Sequence, residues 1–233
     1  MKRILLTAIA LCAFILPLNT RAGEVAPAGK GKDIKNIKQE LTETGYVRLK
    51  PGCTYYLTSY IPLHDNNTIN ATGATVIVSK HATRNDPAFY KKDYSSMKNI
   101  KIIGGTWLSN KKKGNTGTTF SFAHCQDITL ENMTIRTTNA EGHAIELVSC
   151  RNVMINNCQI TAQGKGKSKS VEEMVQIDVA ASKTAPFLPK QYQNGLACQN
   201  VTVKNCTITG NRAVCCNYTK KNKKFLNRFH TNK

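Results

Sequence analysis

The sequence predicts an all-β protein built as a solenoid of short strands, a parallel β-helix. Two stretches nearly repeat each other, SCRNVMINNCQIT at 149–161 and ACQNVTVKNCTIT at 197–209. In these stretches, and at several places before them, apolar and polar residues alternate and an Asn or Gly follows. Alternation with a period of two predicts strands with one buried face. Its recurrence at intervals of about 25 residues predicts stacked coils.

The start of the chain has the features of an export signal. Lys2 and Arg3 precede a mostly apolar stretch at 4–18, and Thr20-Arg21-Ala22 offers small residues for a signal peptidase. We expect residues 1–22 to be a cleaved signal peptide, and the protein to be secreted, periplasmic or at the cell surface. An uncleaved membrane anchor is the alternative. No later run is long and apolar enough to span a bilayer.

Residues 23–45 are predicted to form an N-terminal segment that contains a capping helix. Between Asp33 and Glu43 the apolar residues have helical spacing and charged residues lie between them: Ile34, Ile37 and Leu41. Such a helix would cover the open end of the solenoid, whose apolar interior is otherwise exposed. Gly45 is predicted to end the helix.

Residues 46–219 are predicted to form the β-helix domain. Its coils are marked by bends at Gly73-Ala74, Gly104-Gly105, Asn132-Met133, Asn157-Cys158 and Asn205-Cys206, at intervals of 31, 28, 25 and 48 residues. The three asparagines are predicted to form a ladder of stacked amides. We interpret the longest interval as one coil with two insertions, at 164–170 and 182–195, rather than as two coils. The intervening sequence contains no further Asn-Val-x-Val pattern.

Nine cysteines in an exported protein would permit a disulfide framework. The alignment instead places Cys125, Cys150 and Cys198 at one rung position, and Cys158 and Cys206 at another. Equivalent residues of a stacked solenoid lie roughly 4.8 Å apart, and a buried Cys behaves as a small apolar residue. We therefore predict ladders of free thiols, with disulfides between rungs as the alternative. A metal site is disfavoured, because no pair of these cysteines has Cys-x-x-Cys spacing.

The chain is strongly basic, with a net charge of +19, or about +16 after loss of Lys2, Arg3 and Arg21. Such an excess indicates a polyanionic partner: an acidic polysaccharide, an anionic cell surface or nucleic acid. Export and the absence of a nucleic-acid-binding motif argue against nucleic acid. The alternative is that the basic loops only keep the protein soluble.

A family resemblance is carried by VRLKPGCTYYLTSYIPLHDNNTINATGATVIV at 47–78. Pro51-Gly52 and Tyr55 are followed by an apolar-polar run that reaches Gly73-Ala74. This pattern resembles the pectate-lyase-like superfamily, and with the later coils the resemblance covers most of the chain from residue 33 onward. It implies a right-handed parallel β-helix. Members of that superfamily include pectate lyases, polygalacturonases, rhamnogalacturonases, epimerases, phage tailspikes and non-catalytic surface proteins.

The sequence departs from the polygalacturonase branch of that superfamily. The branch implies Asn-Thr-Asp, Asp-Asp, Gly-His-Gly and Arg-x-Lys motifs in rung order. Here Asn115-Thr116 is followed by Gly117, Gly142-His143 is followed by Ala144, and no Asp-Asp occurs. The calcium-dependent pectate lyase branch implies acidic ligands and a basic catalytic residue on the exposed face of the strands.

One face of the predicted strands carries the candidate site. Aligning TFSFAHC, HAIELVSC, EMVQIDVA and AVCCNY stacks two outward-facing sets: Ser121, Glu146, Gln176 and Cys215, and Ala123, Val148, Asp178 and Asn217. His143, Glu173 and Arg212 align where the strands begin. The apolar residues that alternate with these sets are expected to be buried, so the polar sets should face outward.

Glu146, Asp178 and His143 are the predicted catalytic residues. Glu146 and Asp178 would have a Cα separation of about 8 Å, which suits an acid and a base or nucleophile in glycoside hydrolysis. Alternatively, both carboxylates would hold Ca²⁺ together with a uronate carboxylate, and His143, a lysine or Arg212 would remove a sugar proton. The plainer alternative is that polar residues on the solvent face of a strand have no function.

The predicted substrate-binding residues surround this pair: Gln176, Glu173, Arg212, Lys167 and Tyr192. Lys167 lies in the basic first insertion with Lys165 and Lys169. Tyr192 lies in the second insertion with Phe187, where aromatic rings could stack on sugars. Long loops beside a rigid scaffold are frequent binding sites.

The chain ends in a basic tail at 220–233, which is either a cap or the sign of a shortened chain. Two functions follow as hypotheses. The first is a secreted polysaccharide lyase or glycoside hydrolase that acts on, or binds, an acidic pectin-like uronide. The second is a non-catalytic β-helix repeat protein of the cell surface or envelope, in one version a truncated and inactive family member.

Overall fold

The structure is a computed structural model that describes residues 23–79, 81–109, 118–137, 142–162, 173–210, 212–217 and 230–231. The predicted signal peptide, the basic first insertion with Lys165, Lys167 and Lys169, and most of the predicted tail lie outside these residues. Within them, six successive coils each contribute one strand to each of three sheets. All described strand pairs are parallel, which confirms the predicted parallel β-helix.

The strands of the three sheets have the following bounds. The first sheet contains Glu24–Val25, Tyr46–Leu49, Thr68–Asn70, Met97–Ile103, Cys125–Glu131, Arg151–Asn156, Gln199–Lys204 and His230–Thr231. A second sheet, called the site sheet below, contains Ile61–Leu63, Thr83–Asn85, Phe120–Ala123, Ile145–Val148, Glu173–Asp178 and Arg212–Cys216. The third contains Thr54–Leu57, Thr75–Val78, Thr106–Ser109, Thr134–Thr137, Gln159–Ala162 and Thr207–Thr209.

The predicted register of the coils is confirmed. Val153 pairs directly with Val201, so the 48-residue interval is a single coil with two insertions. Across the third sheet, Trp107 pairs with Val76 on one side and Ile135 on the other. Trp107 is fully buried and packs edge-to-face on Phe120, with ring centroids 5.1 Å apart. Side chains that repeat along the sequence therefore stack in a continuous apolar interior.

The capping helix spans Asp33–Thr44 and buries the three predicted apolar residues: Ile34, Ile37 and Leu41. Gly45 ends it in the left-handed conformation with φ of 73°, which glycine adopts without strain. Asp33 is buried too, an arrangement that the helical spacing does not predict. Its carboxylate accepts hydrogen bonds from the backbone N–H groups of Ala28, Gly29 and Tyr56 at 2.6, 2.9 and 2.8 Å. This side chain therefore attaches the helix to the first coil. In the described part of the chain, no helix has the length and apolar character needed to cross a membrane.

The cysteines of the described residues are free thiols. Cys125, Cys150 and Cys198 are buried in the interior, and the Cys150 N–H donates to the Cys198 Sγ at 3.1 Å. Burial is the largest effect on Cys150 and Cys198, and it raises the pKa of both. Neutral thiols thus take the place of small apolar side chains in the stacked interior.

The asparagine ladder forms, with one difference from the prediction. The Asn157 amide donates to the Asn132 Oδ1 at 2.8 Å, as expected. Asn205 donates instead to the Oδ1 of Asn156, at 3.0 Å. Asn132, Asn157 and Asn205 all have φ between 51° and 60°, in the left-handed region that Asn tolerates. The sharp bend therefore fixes the backbone of Asn205, while its side chain reaches the residue before the predicted partner.

Candidate functional site

A column of polar side chains runs along the outer face of the site sheet. Ser121 pairs with Glu146, Glu146 with Gln176 and Gln176 with Cys215, as the sequence predicts. Arg84 pairs with Ser121 and extends the column by one rung, which was not predicted from the sequence. Its strand has only three residues, Thr-Arg-Asn, and lacks the alternation that marks the other strands. These five side chains are called the polar column below.

Glu146 lies at the centre of the polar column and is partly exposed. Its Oε2 accepts a hydrogen bond from the Ser121 hydroxyl at 2.9 Å. Burial raises the pKa of the Glu146 carboxyl, and the Ser121 hydrogen bond and the Arg84 charge oppose that rise. A carboxyl in this setting retains its proton at higher pH than an exposed one, which suits a general acid.

Asp178 lies on the neighbouring rung and is only 3% exposed. Its Oδ1 accepts hydrogen bonds from the amides of Gln176 at 2.7 Å and Asn217 at 2.9 Å. Burial raises the pKa of Asp178 to about 6; the two amides oppose that rise, and the charge of Glu146 adds to it. Two titratable groups with raised pKa values thus occupy adjacent rungs, a feature that concentrates at functional sites.

The outer face is more covered than the sequence analysis predicted. Gln176, like Asp178, is 3% exposed. The second insertion folds back over part of this face. Its Ala185 and Leu188 pack with Ala123, Val148, Ala180 and Tyr90 in a small apolar cluster. Residues that point outward from a strand are therefore buried under a loop.

Tyr192, the aromatic residue predicted to stack on sugars, is half-buried in the second insertion. The ring packs edge-to-face on Tyr90, with centroids 5.5 Å apart, at the border of the apolar cluster. Burial of aromatic area holds the insertion against the sheet. Phe187, its neighbour in the same insertion, covers Arg84: the guanidinium carbon lies 5.0 Å from the ring centroid.

His143, Glu173 and Arg212 meet where the strands of the site sheet begin, as predicted. Glu173 pairs in register with Arg212, and their side chains form an ion pair. The His143 Nδ1 lies 2.9 Å from the backbone carbonyl oxygen of Glu173 and 3.7 Å from the Glu173 side-chain Oε2. Because Glu173 and Arg212 form an ion pair, their charges cancel, and together they add little net charge beside Glu146 and Asp178. Lys167 lies outside the described residues.

The carboxyl pair does not fit a calcium site. Ca²⁺ takes six to eight oxygen ligands, whereas the Oδ1 of Asp178 already accepts two amide donors. The positive charge of Arg84 acts on Glu146 and would oppose a second cation. Among the residues that the structure describes, no three His, Cys, Asp or Glu side chains gather as metal ligands.

The fold is similar to that of solved structures. Two structures of the Streptococcus pneumoniae surface adhesin PfbA match with TM-scores of 0.63 and 0.59, both at 19% identity. The matches cover 82% and 80% of this chain, but 49% and 51% of the adhesin chains, so this chain spans about half of their length. A glycosyl hydrolase described as putative, from Parabacteroides merdae, has a TM-score of 0.44 at 14% identity, over 74% of this chain and 75% of the other. No protein-family model and no curated protein matches the chain. The similarity to the adhesin establishes the β-helix fold alone.

Proposed function

We propose that this protein is an exported glycoside hydrolase that binds an acidic, pectin-like polysaccharide along the polar column. The observation that carries the proposal is the pair Glu146 and Asp178: two carboxyls on adjacent rungs, both with a raised pKa. Carboxyl pairs with separated acidities are the usual means of glycoside hydrolysis.

Glu146 is partly exposed and Asp178 is buried, and this difference favours a different catalytic role for each. Glu146 is the more exposed carboxyl, and its raised pKa favours the protonated form, so in this mechanism it donates its proton to the oxygen of the glycosidic bond. Asp178 is ionised above about pH 6 and acts as the base that removes a proton from the attacking water. The bond between the anomeric carbon and the leaving oxygen breaks; the carbon gains hydroxyl and the leaving oxygen gains hydrogen. Hydrolysis is favoured over β-elimination because a raised carboxyl pKa suits protonation of a leaving group.

Charge supports an acidic substrate. The net charge of +19 would attract a polyanion, and Arg84 places a cation in the polar column itself. Lys167, in the basic first insertion, remains a proposed contact for the same polymer. His143, Glu173 and Arg212 would border the bound chain where the strands begin. Tyr192, whose ring is half-buried, remains a proposed contact at the border of the apolar cluster.

The test is turnover of soluble protein on polygalacturonate, rhamnogalacturonan and related uronides, with and without added Ca²⁺. The proposal predicts new reducing ends without the ultraviolet absorbance of an unsaturated uronate, and no dependence on Ca²⁺. Unsaturated products would identify a lyase and refute the hydrolytic mechanism, and activity only with Ca²⁺ would refute a mechanism that needs no metal. Absence of any product on the whole panel would refute hydrolysis of these substrates.

A second function is supported by one observation. Asp178 and Gln176 are almost fully buried, as expected for a network that stabilises the sheet rather than one that meets substrate. In this version the protein is a non-catalytic cell-surface β-helix that binds glycans, in keeping with the surface adhesin that shares its fold. Binding of oligouronides without turnover would establish this alternative.

A further inference from the structure

A separate pocket opens on the other half of the site sheet, away from the carboxyl pair. It has a volume of about 280 Å³ and lies where the strands Ile61–Leu63 and Thr83–Asn85 end. The side chains that matter for its chemistry are His64, Asp65, Asp86, Phe89, Lys91 and Ser96. None of these residues belongs to the polar column.

Phe89 gives the pocket an exposed aromatic ring, with 54% of the residue accessible. The ring is held perpendicular to that of His64, with centroids 5.5 Å apart. Phe89 ends a short 3-10 turn, Pro87–Phe89, and the Asp86 side chain caps that turn by accepting from the Ala88 N–H at 2.8 Å. A fixed and exposed ring loses little conformational entropy on binding, so it suits a stacking ligand.

Two anchors hold this turn on the sheet. Before it, Asn85 is buried and its side chain bonds to the backbone N–H and carbonyl of Ala123 at 3.0 and 2.9 Å. After it, Tyr90 is 5% exposed and packs in the apolar cluster. The exposure of Phe89 therefore does not result from a loosely attached loop, since its neighbours on both sides are fixed.

Carboxylates supply the polar part of the pocket. Asp65 accepts a hydrogen bond from the Lys98 N–H at 3.0 Å, and Asp86 caps the 3-10 turn, each through Oδ1. Neither carboxylate forms an ion pair with another described residue, and each has a second oxygen that can accept from a ligand hydroxyl. Lys91 is the one cation among the residues named for the pocket. A uronate would meet two like charges here, whereas a neutral sugar offers hydroxyl donors and an apolar ring face.

We infer that this pocket binds a neutral pyranose unit, stacked on Phe89 and hydrogen-bonded to Asp65 and Asp86. The strand that ends at Asn85 lies two rungs from the strand of Glu146, a distance of about 10 Å along the solenoid. One oligosaccharide can therefore reach both places. A single ligand would be a heteropolymer, with a neutral unit in the pocket and an acidic unit at the polar column. That statement rests on the proposed function, while binding in the pocket does not.

The test measures binding without cleavage, in the full mature chain that carries Glu146→Gln. Neutral galacto-, gluco- and rhamno-oligosaccharides and an oligogalacturonate are titrated separately, and Kd is measured by calorimetry. A neutral oligosaccharide is expected to bind, and Phe89→Ala is expected to raise its Kd by about tenfold. Asp65→Asn, which keeps Oδ1, should raise this Kd less than Phe89→Ala does. Tyr56→Ala is the matched control, because Tyr56 is an exposed aromatic residue of the third sheet with 42% accessible.

Three results would overturn the inference: no binding of any neutral oligosaccharide, equal effects of Phe89→Ala and Tyr56→Ala, or loss of oligogalacturonate binding on Phe89→Ala with neutral binding unchanged. Failure of the proposed function has a different signature. Neutral binding that depends on Phe89, in a wild-type protein that cleaves no uronide, would uphold the pocket and refute the hydrolase.

Discussion

Glu146 lies directly beside Gln176 in neighbouring strands of the site sheet, and the Gln176 amide donates to Asp178. The Gln176 side chain therefore lies between the carboxyl groups of Glu146 and Asp178. This arrangement also means that the protonation of one carboxyl affects the other, because two charges this close repel.

Stability should depend on pH through Asp178, whose pKa is raised from 3.8 to about 6. The folded protein binds this proton more tightly than the unfolded chain does. Its contribution therefore stabilises the fold most at low pH and is lost as the pH rises from about 4 to about 6. The free energy of unfolding should fall by at most on the order of 3 kcal/mol over that range from this group.

Denaturant unfolding of the wild type and of Asp178→Asn at several pH values measures this contribution. The substitution keeps Oδ1 and removes the titration, so the profile of the variant should be flatter. Identical slopes for the two proteins would show that Asp178 is not the group responsible.

Arg84→Gln should raise the pKa of Glu146 further, because the Arg84 charge opposes the effect of burial. If Glu146 is the general acid, the basic limb of the pH–rate profile moves to higher pH. Arg48→Gln is the control. Arg48 lies at the far end of the molecule, where its Nε is 3.9 Å from the Oε2 of Glu24. If the basic limb of Arg84→Gln is unchanged, Glu146 is not the group whose titration produces that limb.

Asp33→Ala should loosen the capping helix. The substitution leaves three backbone N–H groups without their carboxylate acceptor, and hydrogen bonds to charged groups are worth about 1.5–3 kcal/mol each. We expect the free energy of unfolding to fall by at least about 3 kcal/mol, and the stability of Asp33→Asn to lie between those of Asp33→Ala and the wild type. Glu43→Ala, at an exposed position of the same helix, should change stability little. Equal stabilities of the Asp33 and Glu43 variants would contradict the assigned role.

The buried thiols should be protected from alkylation in the folded protein. Cys150 and Cys198 are buried and have a raised pKa, which lowers the thiolate fraction. Cys53 is half-buried and should react before them. Mass spectrometry of the alkylated protein, before and after denaturation, gives the order. Disulfide-linked peptides between Cys150 and Cys198 would contradict the ladder of thiols.

The register of the coils was predictable because alternation and bends determine it together. A slip by one residue would turn every apolar side chain outward, so the sequence restricts the pairing of Val153 with Val201 and of Glu146 with Gln176. The stacked cysteines were predictable for the same reason.

The environment of the site was not predictable in the same way. The second insertion has no periodic pattern, and its position over Val148 follows from long-range packing of single side chains such as Leu188. The burial of Val148 and the half-buried ring of Tyr192 were missed for this reason. Arg84 was missed because a strand of three residues leaves too little pattern to read.

Turnover by paired variants tests the central claim most directly. Reducing-end release from a uronide that the wild type cleaves is measured for Glu146→Gln, Asp178→Asn and the control Glu131→Gln, which lies in the first sheet and pairs with Lys101. Loss of a general acid or base lowers the rate by about 10² to 10⁴, so the first two variants should lose that factor in kcat and the control should not. Full activity in Glu146→Gln and Asp178→Asn, with all three variants folded, would contradict the account.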